Sequence, residues 1–206
     1  MRSNNIPKPS GALRLYIVRH GQTDYNLNNM FQGASDVPLN ETGIVQADQI
    51  AEILDSVTFI AAYHSPLARA KVTCERIINE KLQPTPDERL REVYFGLWEG
   101  VTRDEIQRRW PEQFNNYYSN IGAFEPPGGE TLPAARDRVG EFYDDLLERH
   151  SEGDVLIVGH QFINALLCTC IMGQDIAQAW DYRVQPGEVL LLEDDGGNVT
   201  FRRIGL

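Results

Sequence analysis

Three short apolar runs in this chain each stop at a polar cluster. Residues 13–18 lead into Arg19-His20-Gly21, residues 57–63 into His64-Ser65-Pro66, and residues 154–158 into Gly159-His160-Gln161. Runs this short and this rich in β-branched residues read as buried strands. Helical patterns separate them. Asn40 is placed to cap a helix through about Leu54, with Ile44, Ala47, Ile50, Ala51 and Leu54 on one face. "SPLARAKVTCERIINE" offers Ser65 as N-cap and Pro66 at the first helical position. "VTRDEIQRRW" has the capping-box spacing Thr102 to Glu105. A long helix is predicted after "PPGGET", to about His150, and "QFINALLCTCIMG" reads as a helix ended by Gly173. "GEVLLLEDDGGNVTFRRI" reads as a hairpin turning at Gly196-Gly197. Strands alternating with helices predict an α/β fold: a three-layer domain with a largely parallel central sheet flanked by helices.

A length of 206 residues suits one domain over 1–206. Residues 94–130 break the alternation and hold eight of the 19 aromatics, which implies a satellite core, a small helical lid-like insertion, or both. The net charge of -11 disfavours nucleic acid and anionic membrane as partners. The N-terminal "MRSNNIPKPSGA" lacks an apolar signal core, and no stretch approaches the ~20 apolar residues of a membrane span, so a cytoplasmic location is expected. Cys74, Cys168 and Cys170 have no zinc-ligand spacing and read as buried reduced thiols. Monomer and homodimer both remain open.

Ligands of open α/β sheets bind beyond the carboxyl ends of the strands. Parallel strands therefore bring Arg19, His20, Arg69 and His160 to one edge. Paired guanidinium forks and helix N-termini favour a phosphoryl group, and a neutral histidine among them can attack phosphorus. Bland readings compete: an Arg-His pair that merely satisfies hydrogen bonds, or two histidines that ligate a metal. Two adjacent guanidinium groups disfavour the cation. His64 and His150 read as structural. Protonating a leaving alkoxide needs a carboxyl group, and by composition Glu92 and Glu99 both qualify; otherwise Glu99 is a solvated loop residue.

The ordered motifs "RHGQTDYN", "FQG", "DVPLNETGIVQA", "SPLARAKVT", "LREVYFGLWEG", "PPGGET" and "VGHQ" resemble the histidine phosphatase superfamily, in the branch related to cofactor-dependent phosphoglycerate mutase. The resemblance implies that His20 is the phosphorylated nucleophile and that Arg19, Arg69 and His160 bind phosphate. It implies Glu92 as proton donor, Asn26 as a substrate contact, and Thr23, Gln32 and Gly33 as loop positions lining the site. Glu130 is implied to be structural or substrate-facing. Gln161 departs from the small residue usual after the second histidine, and its side chain is expected to shape the pocket. The activity implied is metal-independent, cofactor-free hydrolysis of a small phosphomonoester, such as a sugar phosphate or phosphoglycerate, through a phosphohistidine. "VYFGLWEGVT" has no Lys or Arg, which favours a phosphatase; mutase-type phosphoryl transfer is the alternative, with Arg103, Arg108 and Arg109 available to it.

Overall fold

The computed structural model describes residues 11–194 and 199–205. Strand β1 (Leu13–Arg19) is followed by one helical turn, α1 (Asp24–Leu27), and by helix α2 (Glu41–Ile53). Next come β2 (Phe59–His64), α3 (Ala68–Ile78) and the short β3 (Thr85–Pro86). Helices α4 (Arg103–Arg109) and α5 (Pro111–Ser119) lie in the aromatic-rich segment. The chain ends with α6 (Leu132–Arg149), β4 (Gly153–Gly159), α7 (Gln161–Ile171), β5 (Glu188–Asp194) and β6 (Val199–Gly205).

The sheet order is β3-β2-β4-β1-β5-β6. The first four strands run parallel, β5 pairs antiparallel with β1, and β6 pairs antiparallel with β5. The fold is thus α/β with a mostly parallel sheet, as expected. The predicted turn at Gly196-Gly197 lies outside the described residues.

Strand side chains alternate between faces, so β1 feeds two cores. Leu13, Leu15 and Ile17 join Val155 and Ile157 under Val139 and Phe142 of α6 and Ile163 and Leu167 of α7. Tyr16 and Val18 join Leu156 and Val158 under Ile50 of α2 and Ala70, Cys74 and Ile77 of α3. Residues 94–130 do not build a separate satellite core. Phe95, Trp98, Phe114 and Phe124 belong to the same cluster as α6 and α7. Phe162 of α7 is the bridge, with its ring 5.4 Å from Phe95 and 5.5 Å from Tyr117.

Three local expectations are corrected. Helix α3 starts at Ala68, not at Pro66, because Leu67 is still extended (φ -65°, ψ 136°) and acts as an N-cap without a side-chain bond. Thr102 does cap α4, but the Glu105 carboxylate pairs with Arg109 at 3.1 Å. Cys74 and Cys168 are buried, whereas Cys170 is only partly so.

The chain leaves β1 toward β2 along one face and leaves β4 toward β5 along the other. Neighbouring β1 and β4 therefore flank the crevice where such sheets hold ligands. Their last register pair is Arg19 with Gly159, and the His20 N–H donates to the Gly159 carbonyl at 3.1 Å. Gly21 lets the chain turn here, because a Cβ would strike the Gly43 carbonyl in the first turn of α2. Gly43 faces Gln22 with the same restriction. Among the described residues, no helix is long and apolar enough to cross a membrane.

Candidate active site

A cavity of about 200 Å³ opens at this crevice. Of the ten residues expected at the site, eight line it: Arg19, His20, Asn26, Gln32, Gly33, Arg69, Glu92 and Gln161. Thr23 and His160 do not. Thr23 caps α1, and its hydroxyl donates to Gln32 Oε1 at 2.8 Å, so it holds the wall from behind. His160 is fully buried, with its ring 5.0 Å from that of His20.

The tautomer of His20 is forced by its partners. Gly21 O, 2.7 Å from Nδ1, only accepts. Arg69 Nε–H, 3.2 Å from Nε2, only donates. The proton therefore sits on Nδ1, and Nε2 presents a lone pair. Burial, with Arg69 and Arg19 adding positive charge, pushes the His20 pKa well below its ordinary 6.5. Both the charge environment and the hydrogen bonding thus favour the neutral ring, with the Nε2 lone pair turned to Arg69.

Arg69 is fully buried on the first turn of α3. Its Nη1 and Nη2 donate to the Ser35 and Gly33 carbonyls, each at 2.7 Å. Burial lowers its pKa to about 10, which leaves it charged at neutral pH. Arg19 has an enclosed Nε–H with no hydrogen-bond partner among the described residues. An enclosed donor of this kind wants an anion's oxygen.

Glu92 is 7% exposed. Its Oε1 accepts from the Val93 and Ile163 N–H groups at 3.0 and 3.2 Å, and its Oε2 from Phe162 N–H at 3.2 Å. The last two donors belong to the first turn of α7, so Glu92 performs the capping that His160, the N-cap, does not. Burial raises the Glu92 pKa above its ordinary 4.5; the three N–H donors and Arg69 oppose that rise.

Glu99 is not a solvated loop residue. Its Oε1 accepts from Ala34 N–H at 2.8 Å and Phe95 N–H at 3.1 Å, and its Oε2 from the Ser35 hydroxyl at 2.6 Å. It braces the loop whose carbonyls hold Arg69. Glu130 is bound to Arg138 at 2.7 Å and is not part of the cavity wall. His64 donates from Nδ1 to the Ser65 carbonyl at 2.7 Å, and His150 pairs with the Tyr63 hydroxyl at 2.8 Å; neither lines the cavity. Among the described residues, no group of three or more His, Cys, Asp or Glu is arranged to hold a metal.

Sequence reasoning missed Asn29, Met30 and Phe31 as wall residues; it placed Tyr117 and Tyr118 only within a cluster that could form a lid, and it drew in Arg103 only for the alternative activity. The clustering of aromatics at 94–130 was the available signal. Arg103 stacks on Tyr118, with its guanidinium carbon 4.5 Å from the ring centre. Arg108 and Arg109 do not line the cavity.

Residues 15–206 match the model of the histidine phosphatase superfamily (branch 1). The chain is 29% identical over 171 residues to phosphoserine phosphatase 1 of Hydrogenobacter thermophilus, covering 82% of this chain and 81% of that protein. It is 34% identical over 154 residues to the 2,3-bisphosphoglycerate-dependent phosphoglycerate mutase of Brucella ovis, covering 71% and 75%. The crystal structure of the alpha-ribazole phosphatase from Shigella flexneri superimposes with a TM-score of 0.85 at 28% identity, covering 94% of this chain and 96% of that one.

Proposed function

The chain belongs to the histidine phosphatase superfamily, branch 1, and from that premise we propose that it hydrolyses a small phosphomonoester through a phosphohistidine on His20, without a metal ion. The whole chain works as one domain, with residues 94–130 as a lid-like wall of the pocket. The observation that carries this reading is the locked tautomer of His20, with its Nε2 lone pair turned to the Arg69 guanidinium and Arg19 adding a second positive charge nearby.

In the first step Nε2 attacks phosphorus and the P–O ester bond breaks. Glu92 gives its proton to the departing alkoxide. Arg19 and Arg69 stabilise the charge on the non-bridging oxygens, the electrostatic work a cation would otherwise do. In the second step the Glu92 carboxylate takes a proton from water, the hydroxide adds to phosphorus, and the P–N bond breaks. Inorganic phosphate leaves, and both residues return to their starting protonation states. Asn26, Gln32, Gly33 and Gln161 shape the space for the phosphoryl group and its substituent; Thr23 supports Gln32, and His160, its ring 5.0 Å from that of His20, joins the two arginines in binding the phosphoryl group.

The test is turnover of a panel holding phosphoserine, phosphoglycerates, sugar phosphates and α-ribazole phosphate, before and after exhaustive chelation. Activity is expected to persist, with acid-labile phosphate on His20 in quenched samples and none formed by His20→Ala. Loss on chelation that added zinc or magnesium restores would overturn the metal-free reading. Phosphate on another residue would overturn the nucleophile.

A further inference from the structure

Ser65 follows β2 directly and is fully buried. Its N–H donates to the Val158 carbonyl at 3.0 Å, which pins it beside the end of β4. Its Oγ lies 2.8 Å from His160 Nε2 and accepts the Leu67 N–H at 3.3 Å. His160 Nδ1 is buried and has no hydrogen-bond partner among the described residues.

These contacts leave two ways to place the protons. If His160 carried its proton on Nε2 and donated to Ser65, the serine hydroxyl hydrogen would have no acceptor among the described residues. The Nδ1 lone pair would also lack a donor. Two buried groups would then be unsatisfied, each at a cost of about 1–3 kcal/mol. If Ser65 donates to Nε2, only the Nδ1–H is left. The second arrangement is favoured by one whole buried polar group.

We propose that Ser65 is a positioning residue that holds His160 in the Nδ1–H tautomer, so that His160 donates from Nδ1 and never from Nε2. The proposal deepens the phosphatase reading and rests on it for its role: with Nε2 engaged, Nδ1–H is the donor His160 has left to offer a phosphoryl oxygen. His160 is neutral for this purpose, because burial, reinforced by Arg69 and His20, pushes its pKa well below 6.5. The Ser65 hydroxyl that looked like a helix cap accepts from Leu67 and directs its own proton to His160.

The test is NMR of protein carrying 15N-labelled histidine, with His160 assigned among the four histidines by His160→Gln. The native protein is expected to show a protonated Nδ1 and a bare Nε2 at His160. Ser65→Ala should shift His160 toward the Nε2–H form and slow the phosphorylation burst by ~10-fold or more. Ser65→Thr, which keeps the hydroxyl, should retain the Nδ1–H form. A protonated Nε2 in the native protein overturns the proposal, even if Ser65→Ala fails to fold. An unchanged tautomer in Ser65→Ala removes Ser65 from the role. The tautomer is read without turnover, so an inactive protein showing Nδ1–H would count against the phosphatase reading alone.

Discussion

In the proposed mechanism Glu92 is an acid in one half-reaction and a base in the other, and its surroundings are divided accordingly. Burial favours the protonated form, while three backbone donors favour the carboxylate. Burial prevails, so its pKa lies above 4.5, while that of His20 lies well below 6.5. The active state needs His20 neutral and Glu92 protonated. Activity therefore rises as His20 loses its proton, at a pH below that of an ordinary histidine. It falls as Glu92 loses its own, at a pH above that of an ordinary glutamate. The expected profile of kcat/KM is a bell with an acidic optimum, and a rate still climbing through pH 8 would contradict it. Glu92→Gln should slow the burst with an alkyl phosphate by roughly 100-fold and that with nitrophenyl phosphate much less, since nitrophenolate leaves without a proton. Equal losses would remove Glu92 as the acid.

The loop at 33–35 shows how an element can be catalytic without touching substrate chemistry. Its carbonyls fix the two Nη atoms of Arg69, and Glu99, 64 and 65 residues away, fixes the loop. Glu99→Gln keeps the shape but replaces a charged acceptor with a neutral amide, so the two N–H bonds to Oε1 weaken and the Ser35 hydroxyl must turn to accept from the new NH2. Arg69 should then wander, raising KM and lowering kcat/KM by about ten-fold, with a stability loss of only about 1 kcal/mol. A drop in melting temperature with unaltered kinetics would make Glu99 a folding residue instead. Much of this layout was readable beforehand. The strand ends carrying Arg19, His20 and His160 announce themselves by an apolar run that stops at charge, and Asn40 does cap α2 through Gly43 N–H at 2.9 Å. What could not be read are the contacts that join distant segments. Neither the spacing around Ser65 nor that around Glu99 says that one meets His160 and the other Ala34. The depth of His160 beneath the cavity, and the fusion of the 94–130 aromatics with the main core through Phe162, are likewise set only by packing.

At the scale of the molecule, the question is what accepts the phosphoryl group. The chain carries a net charge of -11, so an anionic substrate meets attraction only where cations are gathered. Three arginines line the cavity, and two of them, Arg19 and Arg69, stand beside His20. Arg103 is the third and the exposed one, held at the wall by its stacking on Tyr118. A mutase has to grip a second anionic group firmly and return the phosphoryl group to the same carbon skeleton before water reaches it. Here that grip would fall to Arg103, since neither Arg108 nor Arg109 lines the cavity, and Arg109 pairs with Glu105 and stacks on Trp110. The 34% identity to a phosphoglycerate mutase keeps the comparison pertinent, because sequence likeness alone does not separate the two activities. A single exposed guanidinium, already engaged with an aromatic ring, holds a second anion weakly, and water competes for the phosphohistidine. Incubation with 3-phosphoglycerate and its bisphosphate primer should therefore release mostly inorganic phosphate. Isotope labelling should place oxygen from solvent water in that phosphate. Rapid exchange between 2- and 3-phosphoglycerate with little phosphate released would reverse the assignment, and Arg103→Ala would then be expected to abolish the exchange while sparing the burst of phosphorylation.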